Sequence, residues 1–172
     1  MKKLVIILAI ITALLVINKE EKIVIPKEAI RFRVIANSNE EKDQILKKKV
    51  VNNLNSEIRK LTVFDTSLEN SRKNIQKNIP EFSKIVKETL EKNEPKQDFT
   101  IDYGMNYFPK KEFQGIVYEE GEYESLVITL GNGMGENFWC VLFPPLCLLD
   151  SEEEVKDVEY TSFVKEMIDK YF

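Results

Sequence analysis

The most constraining feature of this chain is a change of hydrophobic period at Asn93, Glu94 and Pro95. Before it, apolar residues recur every three or four positions, as on one face of a helix. After it they alternate, as on one face of a strand. Leu46, Val50, Leu54, Ile58 and Leu61 form the stripe of a helix over about residues 40–60. Leu68, Ile75 and Ile79 start a second helix after the turn at Asp65, Thr66 and Ser67. Pro80 lacks an amide hydrogen and crowds the preceding turn, so a break or kink is expected there, with a further piece to about residue 92. Phe99, Ile101, Tyr103, Met105 and Tyr107 then predict a strand, followed by strands over 113–118, with Gly115 as a bulge, and over 123–130. Short links between the three predict an antiparallel meander. A chain of 172 residues, 43% hydrophobic and 31% charged, has material for one domain with a buried core.

Ahead of the helices, residues 23–26 read as a connector and residues 29–36 as a strand. Ile30, Phe32 and Val34 occupy one face of that strand, and Arg31 and Arg33 the other. Asn37, Ser38 and Asn39 end it, and Ser38 with Glu41 fits a capping box. Beyond the meander, Gly131, Gly133 and Gly135 punctuate a loop. The apolar run 137–149 follows, and its Pro144 and Pro145 argue against a central strand or a helix through it. Residues 151–159 are acidic, and Phe163, Val164, Met167, Ile168 and Tyr171 predict a short C-terminal helix. The expected fold is α+β. An N-terminal strand and two to three helices pack on a three- to four-stranded, mainly antiparallel sheet in a single domain over 23–150, with residues 151–172 as connector and helix.

Residues 1–22 read as a secretory signal or an N-terminal membrane anchor. Lys2 and Lys3 precede 14 residues that are apolar except for Thr12, and charge returns at Lys19. At about 1.5 Å per residue the apolar stretch is roughly 21 Å long, short of a hydrocarbon core of roughly 30 Å, which favours a cleaved signal. No pair of small residues marks a cleavage site after it, which favours an anchor; both readings stand. Either way Lys2 and Lys3 stay in the cytoplasm and the remainder is exported.

Charge is unevenly placed. Residues 1–39 hold 7 basic and 3 acidic side chains, residues 40–92 hold 12 and 9, and residues 93–172 hold 6 and 17. The acidic part is either a solvated face or a surface that steers toward basic partners. The overall net charge of −4, with no basic tail, gives no reason to expect nucleic-acid binding.

The absence of histidine removes Ser-His-Asp and Cys-His catalysis and histidine-ligated zinc. Two cysteines are too few for a four-thiolate metal site, and no cofactor motif is present. The glycine run follows a strand, as a phosphate loop does, but neither a helix nor a Lys-Ser/Thr pair comes after it. The glycines therefore read as positions in a tight connection. In an exported chain, Cys140 and Cys147 fit either a disulfide, with Pro144 and Pro145 displayed on a rigid hairpin between them, or two buried thiols. Paired carboxylates exist in any chain with 29 acids, so a cell-wall hydrolase is one rival reading. An aromatic set, Tyr103, Tyr107, Phe108, Phe138 and Trp139, suits a sugar platform or a core. A structural envelope protein is the other rival.

Three stretches together resemble one family. The first is 29–38, Ala-Ile-Arg-Phe-Arg-Val-Ile-Ala-Asn-Ser, with Asp43, Gln44, Leu46 and Lys47 behind it. The second is Gly121, Glu122, Tyr123 and Glu124 leading to Ile128, Thr129, Leu130, Gly131, Asn132, Gly133 and Gly135. The third is 137–147, Asn-Phe-Trp-Cys-Val-Leu-Phe-Pro-Pro-Leu-Cys. In this order they resemble stage II sporulation protein R of endospore-forming bacteria, over about residues 26–150. The family has a second tryptophan where this chain has Phe138, which keeps a ring and loses an N–H donor. The resemblance implies a signalling protein without catalysis of its own. It is made in the forespore and exported to the space between the septal membranes. There it triggers a membrane-embedded aspartic protease on the mother-cell side, which matures the pro-form of the mother-cell sigma factor. The expected contact surface is Arg31, Arg33, Asn37, Ser38, Gly131, Gly133, Gly135, Asn137, Trp139, Pro144 and Pro145, since Arg and Trp often anchor interfaces.

Overall fold

The structure, a computed structural model, describes residues 22–62, 67–113, 115–148 and 157–172. The expected signal or anchor therefore lies outside the described residues, as does most of the acidic connector. In chain order the elements are β1 (Ile23–Val24), β2 (Ile30–Ile35), α1 (Glu41–Thr62), α2 (Leu68–Asn93), β3 (Phe99–Phe108), β4 (Lys111–Phe113), β5 (Ile116–Tyr118), β6 (Gly121–Leu130) and β7 (Asn137–Phe143). A 3-10 turn (Leu146–Leu148) and α3 (Asp157–Tyr171) follow. The class is α+β, as the sequence predicts, and the described residues hold three helices, the third being the expected C-terminal one rather than a separate piece after Pro80.

The sheets differ from expectation in number. One has four strands in the order β3-β6-β2-β7, the other three in the order β1-β5-β4. β2 runs parallel to β6 and β1 parallel to β5, so both sheets are mixed; with β3 antiparallel to β6 and β2 antiparallel to β7, the four-stranded sheet is still mainly antiparallel, as expected. Among the described residues the expected meander does not form. Gly115 adopts φ 74° at a turn, not in a bulge, and separates β4 from β5. That hairpin leaves the main sheet, and β3 pairs directly with β6 from Phe99 opposite Leu130 to Phe108 opposite Gly121. The short connector before β2 supplies β1.

The N-terminal strand β2 is central, which explains its composition. Ile30, Phe32 and Val34 are buried on the face toward the helices. They meet Leu46, Val50, Leu54 and Ile58 of α1, Ile75, Phe82, Val86 and Leu90 of α2, and Leu126, Ile128 and Leu130 of β6. Each such side chain contributes about 1.5–3 kcal/mol by leaving water. A smaller core joins Ile25, Ala29, Ile116, Tyr118, Val141, Leu146 and Val164, and so packs the second sheet and α3 at the other side.

α2 does not break at Pro80; it continues from Leu68 to Asn93. Pro80 and Gln76 are both exposed, so the Gln76 carbonyl that loses its N–H partner lies on the water side of the helix. A buttress from Arg72 adds to the apolar packing of α2. Its Nε and Nη2 donate to the two carboxylate oxygens of Glu124 on β6, each at 2.8 Å, and its Nη1 donates to Glu69 at 2.7 Å. The Tyr103 hydroxyl donates to Glu124 at 2.6 Å. The Arg72 bonds hold Glu124 below the usual carboxylate range against the opposing effect of burial. Among the described residues no helix is long and apolar enough to cross a membrane.

Candidate functional site

Parallel β2 and β6 end together, and the segments that leave them are stitched to each other. The Asn37 side chain is the hub. Its Nδ2 donates to Asp43 at 2.8 Å, and its Oδ1 accepts from the Asn132 amide at 2.9 Å. The Met134 amide donates to the Asn37 carbonyl at 3.0 Å, and the Gly135 amide to the Ala36 carbonyl at 2.9 Å. Asn39 Oδ1 accepts from the Glu136 amide at 2.7 Å. Lys47, buried on α1, donates to the Glu136 carbonyl at 2.9 Å. The glycines serve this closeness. Gly131 has φ 54° and Gly133 φ 64°, which glycine adopts at low cost. A Cβ on Gly135 would overlap the Ser38 backbone carbonyl. The tight-connection reading of the loop holds in this geometry.

Ser38 begins α1, but not through Glu41. Its hydroxyl accepts from the Glu40 amide at 3.1 Å and donates to Asp43 at 2.6 Å; Glu41 is exposed. The carboxylate that completes the cap, Asp43, is two residues further along than the expected Glu41. The Ser38 hydrogen bond, followed by that from Asn37, holds Asp43 below the usual carboxylate range, while burial opposes it. An ionised Asp43 therefore stabilises the fold above the unfolded-state value of about 4, and that contribution is lost as pH falls through the lower folded-state value. Thermal melts of the wild-type chain should lose stability below about pH 4 through this group. Asp43→Asn should be less stable at neutral pH and flatter on the acid side; an unchanged acid slope would contradict the role.

On the sheet face away from the helices, arginines stack among aromatic rings. Arg31 is only 1% exposed. Its guanidinium lies 3.4 Å from the Tyr123 ring centre, with Phe108 at 5.2 Å and Tyr118 at 5.7 Å, and Nη2 donates to the Glu119 carbonyl at 3.2 Å. Burial lowers its pKa, and Tyr123 and Tyr118 oppose that. Cation–π attraction stands in for a carboxylate here. Arg33, half-buried, lies 4.6 Å from the Phe108 ring centre and donates to the Tyr107 carbonyl at 3.4 Å. Trp139 is opposite Arg33 in the ladder, meets Phe108 edge-on at 5.4 Å, and carries Lys111 over its ring at 5.1 Å.

These placements correct two expectations. Arg31 belongs to the core, because rings from β3, β5 and β6 close over it. Pro144 and Pro145 are not displayed either: residues 143–146 are all buried. β7 stops at Phe143, at the sheet edge where proline is tolerated. The turn then folds inward, with Leu146 in the smaller core. Cys140 and Cys147 form a disulfide, with Cα atoms 5.7 Å apart. It ties β7 to the 3-10 turn, and Phe143 contacts Tyr171 of α3 at 5.1 Å between ring centres.

The structure thus keeps Asn37, Ser38, Gly131, Gly133, Gly135 and Asn137 together at one end of the sheet. Arg33 and Trp139 lie two ladder steps from Asn137, and Pro144 and Pro145 lie at the far end. It adds Met134, which is 79% exposed at the tip of the pinned loop. Its sequence signal was an apolar residue between two glycines. Beside the loop is a polar depression of about 380 Å³, lined in part by Asn37, Lys42, Asp43, Asp98 and Asn132. The hydrogen bonds to Asp43 hold it on the low side, opposite to what a general acid needs of that residue. Among the described residues no group of three or more Cys, Asp or Glu side chains is placed to hold a metal ion.

Fold and site together define a mixed-sheet α+β domain with a pinned glycine loop at one end and a disulfide-bridged proline turn at the other. The family model for stage II sporulation protein R matches residues 26–153, which contain both features. Stage II sporulation protein R of Bacillus subtilis (strain 168) is 43% identical over 155 residues, 89% of this chain and 69% of that protein. The chain belongs to the stage II sporulation protein R family. No solved structure matches it.

Proposed function

We propose that this chain is an exported signalling protein of endospore formation. In this reading it leaves the forespore for the intermembrane space, either secreted or held at the membrane by its N-terminal segment. There it activates a membrane-embedded aspartic protease on the mother-cell side, which matures the pro-form of the mother-cell sigma factor. The observation that carries the reading is the family match over residues 26–153. The protein acts by contact, as a ligand without catalysis. The contact face runs from Trp139 and Arg33 through Asn137 to Asn37, Ser38 and the loop of Gly131, Gly133, Met134 and Gly135. A rigid loop with an apolar tip suits this role, because little conformational entropy remains to be lost on binding. The test is deletion of the gene followed by an immunoblot of the mother-cell sigma factor. The unprocessed form should accumulate; maturation at the normal time would overturn the proposal.

A further inference from the structure

We propose that the outer edge of β3 is a docking site for an extended, basic segment of a partner protein, added as a fifth strand to the main sheet. This rests on the signalling reading for the partner's identity, but not for its chemistry. Sheet edges invite unwanted pairing, and proteins guard them with short strands, prolines, lysines or irregular register. The other edges here are guarded. β7 has a register shift against β2 and ends at Pro144 and Pro145. β4 is three residues long and begins with Lys111, and β1 has two residues.

β3 has none of these devices. It is ten residues long, contains no Pro, Lys or Arg, and pairs with β6 without a register shift. Among the described residues no strand pairs with its other side. The Asp98 carbonyl accepts from the Gly131 amide, so by antiparallel alternation the amides of Phe99, Ile101, Tyr103 and Met105 point outward. Met105 is 65% and Tyr107 54% exposed beside them. Such an edge supplies main-chain hydrogen bonds for affinity and side chains for selection.

Charge selects the occupant. Asp98, Asp102, Glu122 and Glu124 lie on or before β3 and β6, and neither strand carries a basic residue. Arg72 pairs with Glu124, while Asp98, Asp102 and Glu122 remain exposed acids. A second copy of this chain would set acidic strands side by side; a lysine-bearing strand would meet opposite charge.

The test uses the full chain and two synthetic nonapeptides, one alternating Lys with Val and one alternating Glu with Val. Hydrogen exchange at Ile101, Tyr103 and Met105 should slow by about tenfold with the Lys peptide and not with the Glu peptide. Met105→Pro removes an outward amide, and Met105→Lys repels a basic strand without touching the backbone. Both should abolish the protection and cut sigma-factor maturation by about tenfold in the deletion strain. The proposal is overturned by no protection or equal protection from the two peptides, or by protection that rises with protein concentration alone, the mark of self-pairing. Wild-type maturation by the Met105→Lys chain would remove the edge from signalling while the deletion result still stands. A deletion without phenotype would remove the signalling reading while the peptide result still stands.

Discussion

Gly135→Ala is expected to cost about 2–3 kcal/mol, the scale of forcing an atom into a packed interior. In a domain of this size that lowers the melting temperature by roughly 5–10 °C. The new Cβ would occupy the space of the Ser38 carbonyl and crowd the Ala36 Cβ. The first obstacle is backbone, so it cannot rotate aside. Relief must come from moving the loop off β2. That strains the bonds from the Met134 and Gly135 amides to Asn37 and Ala36, and from the Glu136 amide to Asn39. Each is worth about 1 kcal/mol. Gly104→Ala makes the same chemical change where the nearest neighbour of the Cβ would be an Asp102 oxygen at 3.9 Å. Its stability should shift by no more than about 0.5 kcal/mol. Equal melting of the two variants would mean that the loop is not pinned where the structure places it.

Removing the disulfide should have an effect of similar size by a different route. The bridge joins positions seven apart. Closing a loop that short restricts the unfolded chain by about 2.5 kcal/mol. Cys140→Ala with Cys147→Ala should therefore melt roughly 5–10 °C below the wild type. The loss should be local first. The 3-10 turn brings Leu146 into the smaller core with Val164 of α3, and Phe143 meets Tyr171. Limited proteolysis should cut near α3 before the main sheet opens. A double variant that melts like the wild type, with or without reductant, would mean that the bridge contributes nothing.

Legibility followed the length of the periodic signal. Leu46, Val50, Leu54 and Ile58 span several turns, and α1 was placed within two residues at either end. β3 alternates from Phe99 to Tyr107, and the largely apolar run Leu126–Leu130 marks β6, so both strands are legible. β4 and β5 have three residues each, too few to show a period. Ile116, Val117 and Tyr118 are all buried, and Ile116 and Tyr118 enter a second core that local sequence does not display. The parallel pairing of β2 with β6 joins segments about ninety residues apart, and nothing in either strand encodes its direction. Arg31 shows the same limit at the site. Alternation puts it on the face opposite Phe32, which in the local sequence has the look of a surface. The rings of Phe108, Tyr118 and Tyr123 that bury it come from other elements. The loop glycines are legible as turn positions, whereas the role of Asn37 depends on β2 and β6 coming together.

The most direct measurement of the signalling account takes it out of the sporulating cell. The full chain, a membrane-embedded aspartic protease and the pro-form of the sigma factor are expressed together in a bacterium that does not sporulate, and cleavage of the pro-form is followed by immunoblot. The account predicts cleavage only when all three are present, and its loss when residues 1–22 are removed and the chain stays in the cytoplasm. Cleavage at the same rate without the chain would contradict it.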